Sequence, residues 1–114
     1  MKYNPHYHPE KFNLEMLVFD EPNMSYEFNT LCFWATEDGK VYSASDSGCS
    51  CPTPFERFDS ETQDELFQTL ERVGSVEQAE SIFESWNKNY DGKPFLPNER
   101  KQEAMNWVKE HLKQ

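Results

Sequence analysis

The dipeptide Asp38-Gly39 constrains the fold of this chain more than any other feature, because it lies between two runs of strand-forming residues. Asp-Gly is a strong signal for a β-hairpin with a two-residue type I′ turn, in which both central residues have positive φ. A turn at these two residues sets the register of the whole hairpin. The predicted pairs are Trp34 with Ser43, Phe33 with Ala44, and Ala35 with Tyr42. Large side chains then lie opposite small ones, which favours the pairing.

Residues 14–19 are also rich in branched and aromatic side chains, so the sequence predicts three strands within about residues 14–46. From residue 59 the apolar residues recur every three or four positions, the period of an amphipathic helix. Capping residues at Ser60, Ser75 and Asn98 indicate helices at about 60–73, 76–89 and 99–112. We therefore predict an α+β fold, with a mainly antiparallel three-stranded sheet and three helices packed on one of its faces. The alternative is a hairpin appended to a helical bundle.

The chain has 114 residues, the length of one ordinary domain. We expect a single domain over 1–114, with an N-terminal arm at 1–13, the sheet and a cysteine-containing corner at 14–58, and a helical part at 59–114. The spacing of apolar residues predicts which side chains form the core. These are Phe28, Trp34, Leu66, Phe67, Leu70, Ile82, Phe83, Trp86 and Val108.

The formal net charge is −10, and neither half of the chain is basic. Binding to nucleic acid or to an anionic membrane depends on clustered Lys and Arg, so both are disfavoured as direct partners. The N-terminus lacks the apolar stretch of a signal peptide, and no run approaches the length of a membrane-spanning helix. The expected location is therefore the cytoplasm. Three cysteines in such a setting are expected to be reduced thiols.

The stretch YSASDSGCSCPTPFERF, from 42 to 58, combines Ser, Asp, Gly, Cys and Pro at unusual density. A rigid corner at the end of a strand is the interpretation that explains each of these residue types. Asp and Ser side chains bond backbone N–H groups two residues on, Gly permits positive φ, and Pro ends the ladder of hydrogen bonds. The corner residues are Asp46, Ser47, Gly48, Cys49, Cys51, Pro52, Pro54 and Phe55. Both cysteines are expected to pack inward, and Phe55 is expected to return the chain to the core.

Two chemical uses of the same corner stay open. Together with His6 and His8, the thiols of Cys49 and Cys51 make up the ligand set of a tetrahedral zinc site, although the Cys-x-Cys spacing is unusual. Without zinc, the arm that carries both histidines is expected to be polar and exposed. A cysteine nucleophile is the other use, but it needs a base or positive surroundings, and the nearest charges include Asp46.

The same residues carry a resemblance to a known family. YEFNT at 26–30 and FWATEDGKVYSASDSGCSCPTPFERF at 33–58 together resemble a family of small uncharacterised proteins encoded by tailed bacteriophages. Its motif is Ser-Asp-Ser-Gly-Cys-Ser-Cys-Pro-x-Pro-Phe-Glu, and residues 42–56 carry most of the match. The resemblance covers about residues 12–60 and implies a phage origin and the cytoplasm of a host cell. It implies no catalytic residue.

Acidic residues concentrate in the first two predicted helices, where residues 59–84 contain eight of them and one basic residue, Arg72. The eight are Asp59, Glu61, Asp64, Glu65, Glu71, Glu77, Glu80 and Glu84. One interpretation is a solvated surface that keeps the protein soluble. The other is a single negative surface on which carboxylates take the place of phosphates toward a basic host protein that normally binds nucleic acid. We expect a non-enzymatic protein that binds and inhibits such a partner; the alternative is a zinc- or thiol-dependent activity at the corner.

Overall fold

The computed structural model describes residues 1–49 and 54–113. Its centre is a four-stranded antiparallel sheet in the order β1-β2-β3-β4, so strands that follow each other along the chain also lie side by side. The strands are β1 (Glu15–Asp20), β2 (Glu27–Ala35), β3 (Val41–Cys49) and β4 (Glu71–Val73). The α-helices are α1 (Gln63–Phe67), α2 (Val76–Trp86) and α3 (Asn98–His111). The predicted α+β fold is confirmed, with a fourth, short strand added to the sheet.

The hairpin between β2 and β3 forms, but its register differs by one residue from the prediction. The observed pairs are Trp34 with Tyr42, Phe33 with Ser43, and Ala35 with Val41. The Thr36 N–H donates to the Lys40 carbonyl at 2.9 Å, and the Gly39 N–H donates to the Thr36 carbonyl at 3.2 Å. Gly39 has a φ of +90°, whereas Asp38 is not among the residues with positive φ. The connection is therefore a three-residue loop that ends in a left-handed glycine, and the two-residue type I′ turn is wrong.

The first predicted helix is wrong in its second half. α1 ends at Phe67, and residues 71–73 form β4, which pairs with residues 41–43 of β3. Val73 continues the helical spacing of apolar residues, yet it is fully buried in the sheet. The helix also begins later than predicted, because the Thr62 hydroxyl, not Ser60, accepts the capping hydrogen bond from Glu65 N–H at 3.1 Å.

The two later helices lie close to their predicted positions. Ser75 caps α2 as predicted, since its hydroxyl accepts a hydrogen bond from Gln78 N–H at 3.1 Å. α3 begins at Asn98 with Pro97 as its N-cap, so the predicted cap at Asn98 is one residue out. Among the residues described, no helix combines the length and the apolar character needed to cross a membrane.

Both faces of the sheet are covered, in contrast to the prediction that all helices lie on one face. α2 and α3 pack on one face, where Phe33 of β2 meets Phe83 of α2 in a buried cluster. α1 packs on the other face, where Leu66 joins Trp34 and Phe55. The physical reason is that β2 carries apolar residues on both of its sides, and each side needs a cover.

The predicted core divides between these two clusters. Trp34, Leu66, Leu70, Phe83 and Val108 are buried. The remaining predicted core residues, Phe28, Phe67, Ile82 and Trp86, are partly buried.

Residues 1–13 do not form an exposed arm. A 3-10 turn at Pro9–Phe12 places Phe12 in the α1-side cluster, where it is 2% exposed. The indole N–H of Trp34 donates to the Pro5 carbonyl at 3.0 Å. Tyr3 forms an isolated antiparallel bridge with Ser60. The segment therefore covers one face of the sheet, and the prediction of a polar, exposed arm is wrong.

Candidate functional site

The corner begins later in the chain than predicted, because β3 extends to Cys49. Strand pairs join Asp46 to Thr30, Ser47 to Asn29, and Gly48 to Phe28. The chain is described again from Pro54, and a 3-10 turn follows at Glu56–Phe58. Cys51 and Pro52 lie outside the described residues, so their predicted roles stay predictions.

Asp46 holds the two sides of the corner together. Its carboxylate accepts a hydrogen bond from Phe55 N–H at 2.8 Å and lies 3.1 Å from Nη1 of Arg57. The Asp46 side chain is 12% exposed, whereas that of Arg57 is 65% exposed. Arg57 also donates to the Ser45 carbonyl at 3.2 Å. The predicted bond from Asp46 to an N–H two residues on is therefore wrong, because the carboxylate binds across the corner.

Among the described corner residues, Phe55 is left-handed, with a φ of 62°, and Gly48 is not. Phe55 is fully buried, and its ring packs edge-on against Trp34 with a centroid separation of 5.7 Å. The same ring stacks on His6 at 5.4 Å. The prediction that Phe55 returns the chain to the core is confirmed.

His6 is held partly inside the protein by this stacking. Burial lowers the pKa of His6 below its ordinary value, while the Asp20 carboxylate acts in the opposite direction. The Nδ1 atom of His6 is buried and has no hydrogen-bond partner within the described part of the chain. Protonation of this ring is therefore opposed by the fold.

Cys49 does not pack inward. Its side chain is exposed at the end of β3, where it lines a groove of about 580 Å³ together with Phe28 and Tyr90. The expected small apolar role is therefore wrong for Cys49, although buried Cys32 does fill that role in the sheet. Over residues 1–49 and 54–113, no three side chains of His, Cys, Asp or Glu come together as metal ligands. The proposed fourth ligand, Cys51, lies outside those residues.

The eight acidic residues at 59–84 do not form one helical surface. Glu61, Asp64 and Glu65 lie on or just before α1, whereas Glu77, Glu80 and Glu84 lie on α2, and Glu71 lies on β4. Since α1 and α2 cover opposite faces of the sheet, the predicted single negative surface is wrong. Asp59 also differs from the others, because one of its carboxylate oxygens is buried without a described hydrogen-bond partner.

Nearby lysines neutralise some of these carboxylates. Lys101 of α3 lies 3.0 Å from Glu84 and 3.7 Å from Glu80, and its hydrogen bond with Glu84 raises the pKa of the ammonium group. On the other face, Lys2 lies 3.7 Å from Glu65. Asp64, Glu71 and Glu77 have no ion pair among the described residues, and all three are exposed.

A further acidic surface lies between the outer edge of β1 and α3, and we call it the β1–α3 groove. It is an open groove with a volume of about 570 Å³. Leu17 and Trp107 form its apolar part, and Glu99, Glu103 and Glu110 stand along its α3 side. The sequence carried a signal for it, because separations of four and seven residues place these glutamates on one side of a helix. Nothing in the sequence showed that this side borders β1.

A family model described as a domain of unknown function, DUF7574, matches residues 3–113. The chain belongs to this family. The DUF7574 match takes in both faces of the sheet, the corner and the β1–α3 groove, so it spans all the candidate sites. No curated protein and no solved structure matches the chain. The DUF7574 description assigns no activity, and the function therefore has to be argued from the geometry.

Proposed function

We propose that this chain is a non-enzymatic acidic protein, of phage origin, that binds and inhibits a host protein with a basic surface. The observation that carries the proposal is the excess of exposed carboxylates over the cations that could neutralise them. The net charge is −10, and Asp64, Glu71 and Glu77 have no ion pair among the described residues. A field of this sign attracts basic proteins and repels nucleic acid and anionic membranes.

The fold divides the acidic residues of 59–84 into two surfaces, which can be tested separately. Asp64 and Glu65 lie on α1, on one face of the sheet, and Glu77 and Glu80 lie on α2, on the other. A partner of ordinary size contacts one face of a small domain rather than both. One of the two pairs should therefore contribute most of the binding.

The experiment compares two variants of equal charge. One carries Asp64→Asn and Glu65→Gln, and the other carries Glu77→Gln and Glu80→Gln. A control with Glu27→Gln and Glu56→Gln makes the same charge change at exposed sites outside 59–84. Glu65 and Glu80 are partly exposed and the other substituted residues are exposed. Surface substitutions usually change stability by less than about 0.5 kcal/mol each, so folding should be retained.

Each protein is used to capture partners from a bacterial lysate at low and at high salt, and the association rate of the recovered partner is then measured. Electrostatic steering acts over about 8 Å at physiological ionic strength, so salt should slow association with the wild type steeply. One of the two helix variants should show a much weaker salt dependence, and the control should behave as the wild type. If neither helix variant differs from the control, the acids at 59–84 only solubilise the protein.

The second candidate function is a zinc- or thiol-dependent activity at Cys49 and Cys51. The exposure of Cys49 beside a groove favours this candidate, because a reactive thiol must be accessible. Its test is the metal content of protein purified without added zinc, in the wild type and in the Cys49→Ser, Cys51→Ser variant. Stoichiometric zinc that the variant loses would support this candidate. A variant that folds, contains as little metal as the wild type and keeps partner binding would eliminate it.

A further inference from the structure

β1 is an edge strand whose outer side has no backbone partner among the described residues. Glu21 N–H donates to the Asn29 carbonyl at 2.9 Å, which identifies 21 and 29 as a hydrogen-bonded pair. Because such pairs alternate in an antiparallel ladder, the odd-numbered residues of β1 bond to β2. The N–H and C=O groups of Met16, Val18 and Asp20 therefore point outward.

This edge lacks the features that usually protect an edge strand from pairing with another chain. Its sequence, EMLVFD, contains no Lys, Pro or Gly, and its central residues Met16, Leu17 and Val18 are partly exposed. Natural sheets commonly blunt such edges with lysines, prolines, bulges or a covering element. A six-residue edge strand whose four central residues are apolar is a suitable template for an added strand.

α3 runs alongside β1 and forms the second wall of the groove. Near the start of α3, Arg100 lies over the Phe19 ring at 5.1 Å from its centroid. At the other end, His111 contacts the Glu15 carboxylate and stacks on Trp107 with a centroid separation of 4.1 Å. The helix is therefore antiparallel to β1, and Leu17, between these two end contacts, lines the groove.

We propose that the β1–α3 groove binds an extended segment of a basic partner, which adds to β1 as a fifth strand of the sheet. This inference rests on the proposed function for the charge of the partner, and it adds a second contact for that partner outside residues 59–84. Hydrogen bonds to the outward groups of Met16, Val18 and Asp20 would hold the added backbone. The side chains of the added strand would alternate between the two faces of the sheet.

The residues of the added strand that face α3 should be Lys or Arg. Alternate side chains of a strand stand about 6.8 Å apart. Glu99 and Glu103 are about 6 Å apart along the helix axis, from their separation of four residues. The aliphatic stems of the cations can cover Leu17 and Trp107 while the charged ends reach the glutamates. At Glu103 the new cation would join Arg100, whose Nε lies 2.7 Å from that carboxylate. On the opposite face the added strand would meet Met16 and Val18, which favour apolar residues.

A second copy of this chain fits the groove poorly. Two copies paired edge to edge through β1 would each bring a net charge of −10, and each would place Glu99, Glu103 and Glu110 beside the joined strands. Like charges in such a position oppose pairing. The groove therefore selects a basic segment, with Lys or Arg alternating with apolar residues.

The probe is a capped peptide, Lys-Val-Lys-Val-Lys-Val-Lys, labelled with a fluorophore. Its control has the same sequence with every backbone nitrogen methylated, which keeps the charge but removes the donors that a strand needs. One protein variant carries Glu99→Gln, Glu103→Gln and Glu110→Gln. The matched variant carries Glu27→Gln, Glu56→Gln and Asp91→Asn, an equal charge change at exposed sites outside both the groove and residues 59–84. Val18→Pro removes one outward N–H at an edge position where proline is tolerated.

We expect the wild type and the matched variant to bind the peptide similarly, and the groove variant to bind about tenfold more weakly or worse. The methylated peptide should bind to the wild type at least as weakly as the unmodified peptide binds to the groove variant. The Val18→Pro protein should bind the unmodified peptide just as weakly. If the Val18→Pro protein does not fold, hydrogen exchange is measured on the wild type instead. The Val18 amide should exchange more slowly in the complex with the peptide than in the free protein.

Equal losses in the groove variant and the matched variant would overturn the inference, since binding would then follow charge alone. The same holds if the methylated peptide binds as well as the unmodified one. If the groove variant keeps binding, the groove is not the site, and the inference fails while the proposed function, which the α1 and α2 variants test separately, stands. A concentration-dependent dimer that Val18→Pro converts to monomer would assign the edge to a second copy and also overturn the inference.

Discussion

Replacing Asp46 with Ala should destabilise the protein far more than an exposed carboxylate would. The substitution removes the acceptor of the Phe55 N–H, which belongs to a fully buried residue, and the partner of Arg57. A buried N–H left without a partner costs about 1–3 kcal/mol. The ion pair contributes no more than about 1 kcal/mol, because Arg57 is largely exposed. We therefore expect a loss of about 1–4 kcal/mol in the free energy of unfolding.

Two further substitutions separate these contributions. Asp46→Asn keeps an oxygen acceptor for Phe55 and should cost about 1 kcal/mol or less, since mainly the charge is lost. Arg57→Gln removes the cation alone and should cost less than about 1 kcal/mol. The measurement is urea unfolding at neutral pH, followed by tryptophan fluorescence and by circular dichroism. The slope of the transition should not change, because the surface exposed on unfolding is the same.

The reasoning fails if Asp46→Ala costs no more than Arg57→Gln. That result would mean that the Phe55 N–H finds water or another acceptor once the carboxylate is gone. It also fails if Asp46→Asn and Asp46→Ala are equally destabilising, because the loss would then come from the charge and not from the hydrogen bond to Phe55.

Three other predictions concern the thiols, His6 and the β2–β3 loop. Burial raises the pKa of the Cys32 thiol far above its ordinary value, so iodoacetamide should label Cys32 only as fast as the protein unfolds. Exposed Cys49 should be labelled quickly, and peptide mass spectrometry measures both rates. Because the pKa of His6 is lowered in the folded state, the unfolded chain binds a proton at His6 at higher pH than the folded protein does. Stability should therefore fall as the pH drops below about 6.5. Urea titrations at several pH values should show a weaker pH dependence for His6→Asn. Gly39→Ala should lower the melting temperature strongly, because φ is +90° and the new Cβ would lie 2.4 Å from Cβ of Lys113; an unchanged melting temperature would show that the loop rearranges freely.

Sequence patterns predicted those parts of the fold that rest on contacts between near neighbours. The capping of α2 by Ser75 and the antiparallel pairing of β2 with β3 both follow from residues within a few positions of each other. The register was missed because Asp-Gly serves both as a two-residue turn and as the end of a three-residue loop. β4 was missed because three residues are too few to show a period, and Val73 also fits the helical spacing of α1.

The candidate sites were harder to predict, since each depends on contacts between distant segments. Asp46 was recognised as a corner residue, but its partner Phe55 could be known only once the chain had turned back. The acidic residues at 59–84 are close in sequence, but the sheet separates those on α1 from those on α2 in space. Glu103 and Leu17 are far apart in sequence and share one groove. Composition reveals an excess of charge, and only the topology shows which charges share a surface.

The position of residues 1–13 has a consequence for how the molecule assembles. The strands form a meander of local contacts, which usually form quickly. The N-terminal segment instead makes contacts that close long loops, from Tyr3 to Ser60 and from Pro5 to Trp34. During synthesis it leaves the ribosome before the strands, yet the surface that it covers does not exist until residue 60 has followed. This segment is therefore made before the sheet but is among the last parts to dock, and one face of the sheet stays open to chaperones or to misfolding until it does.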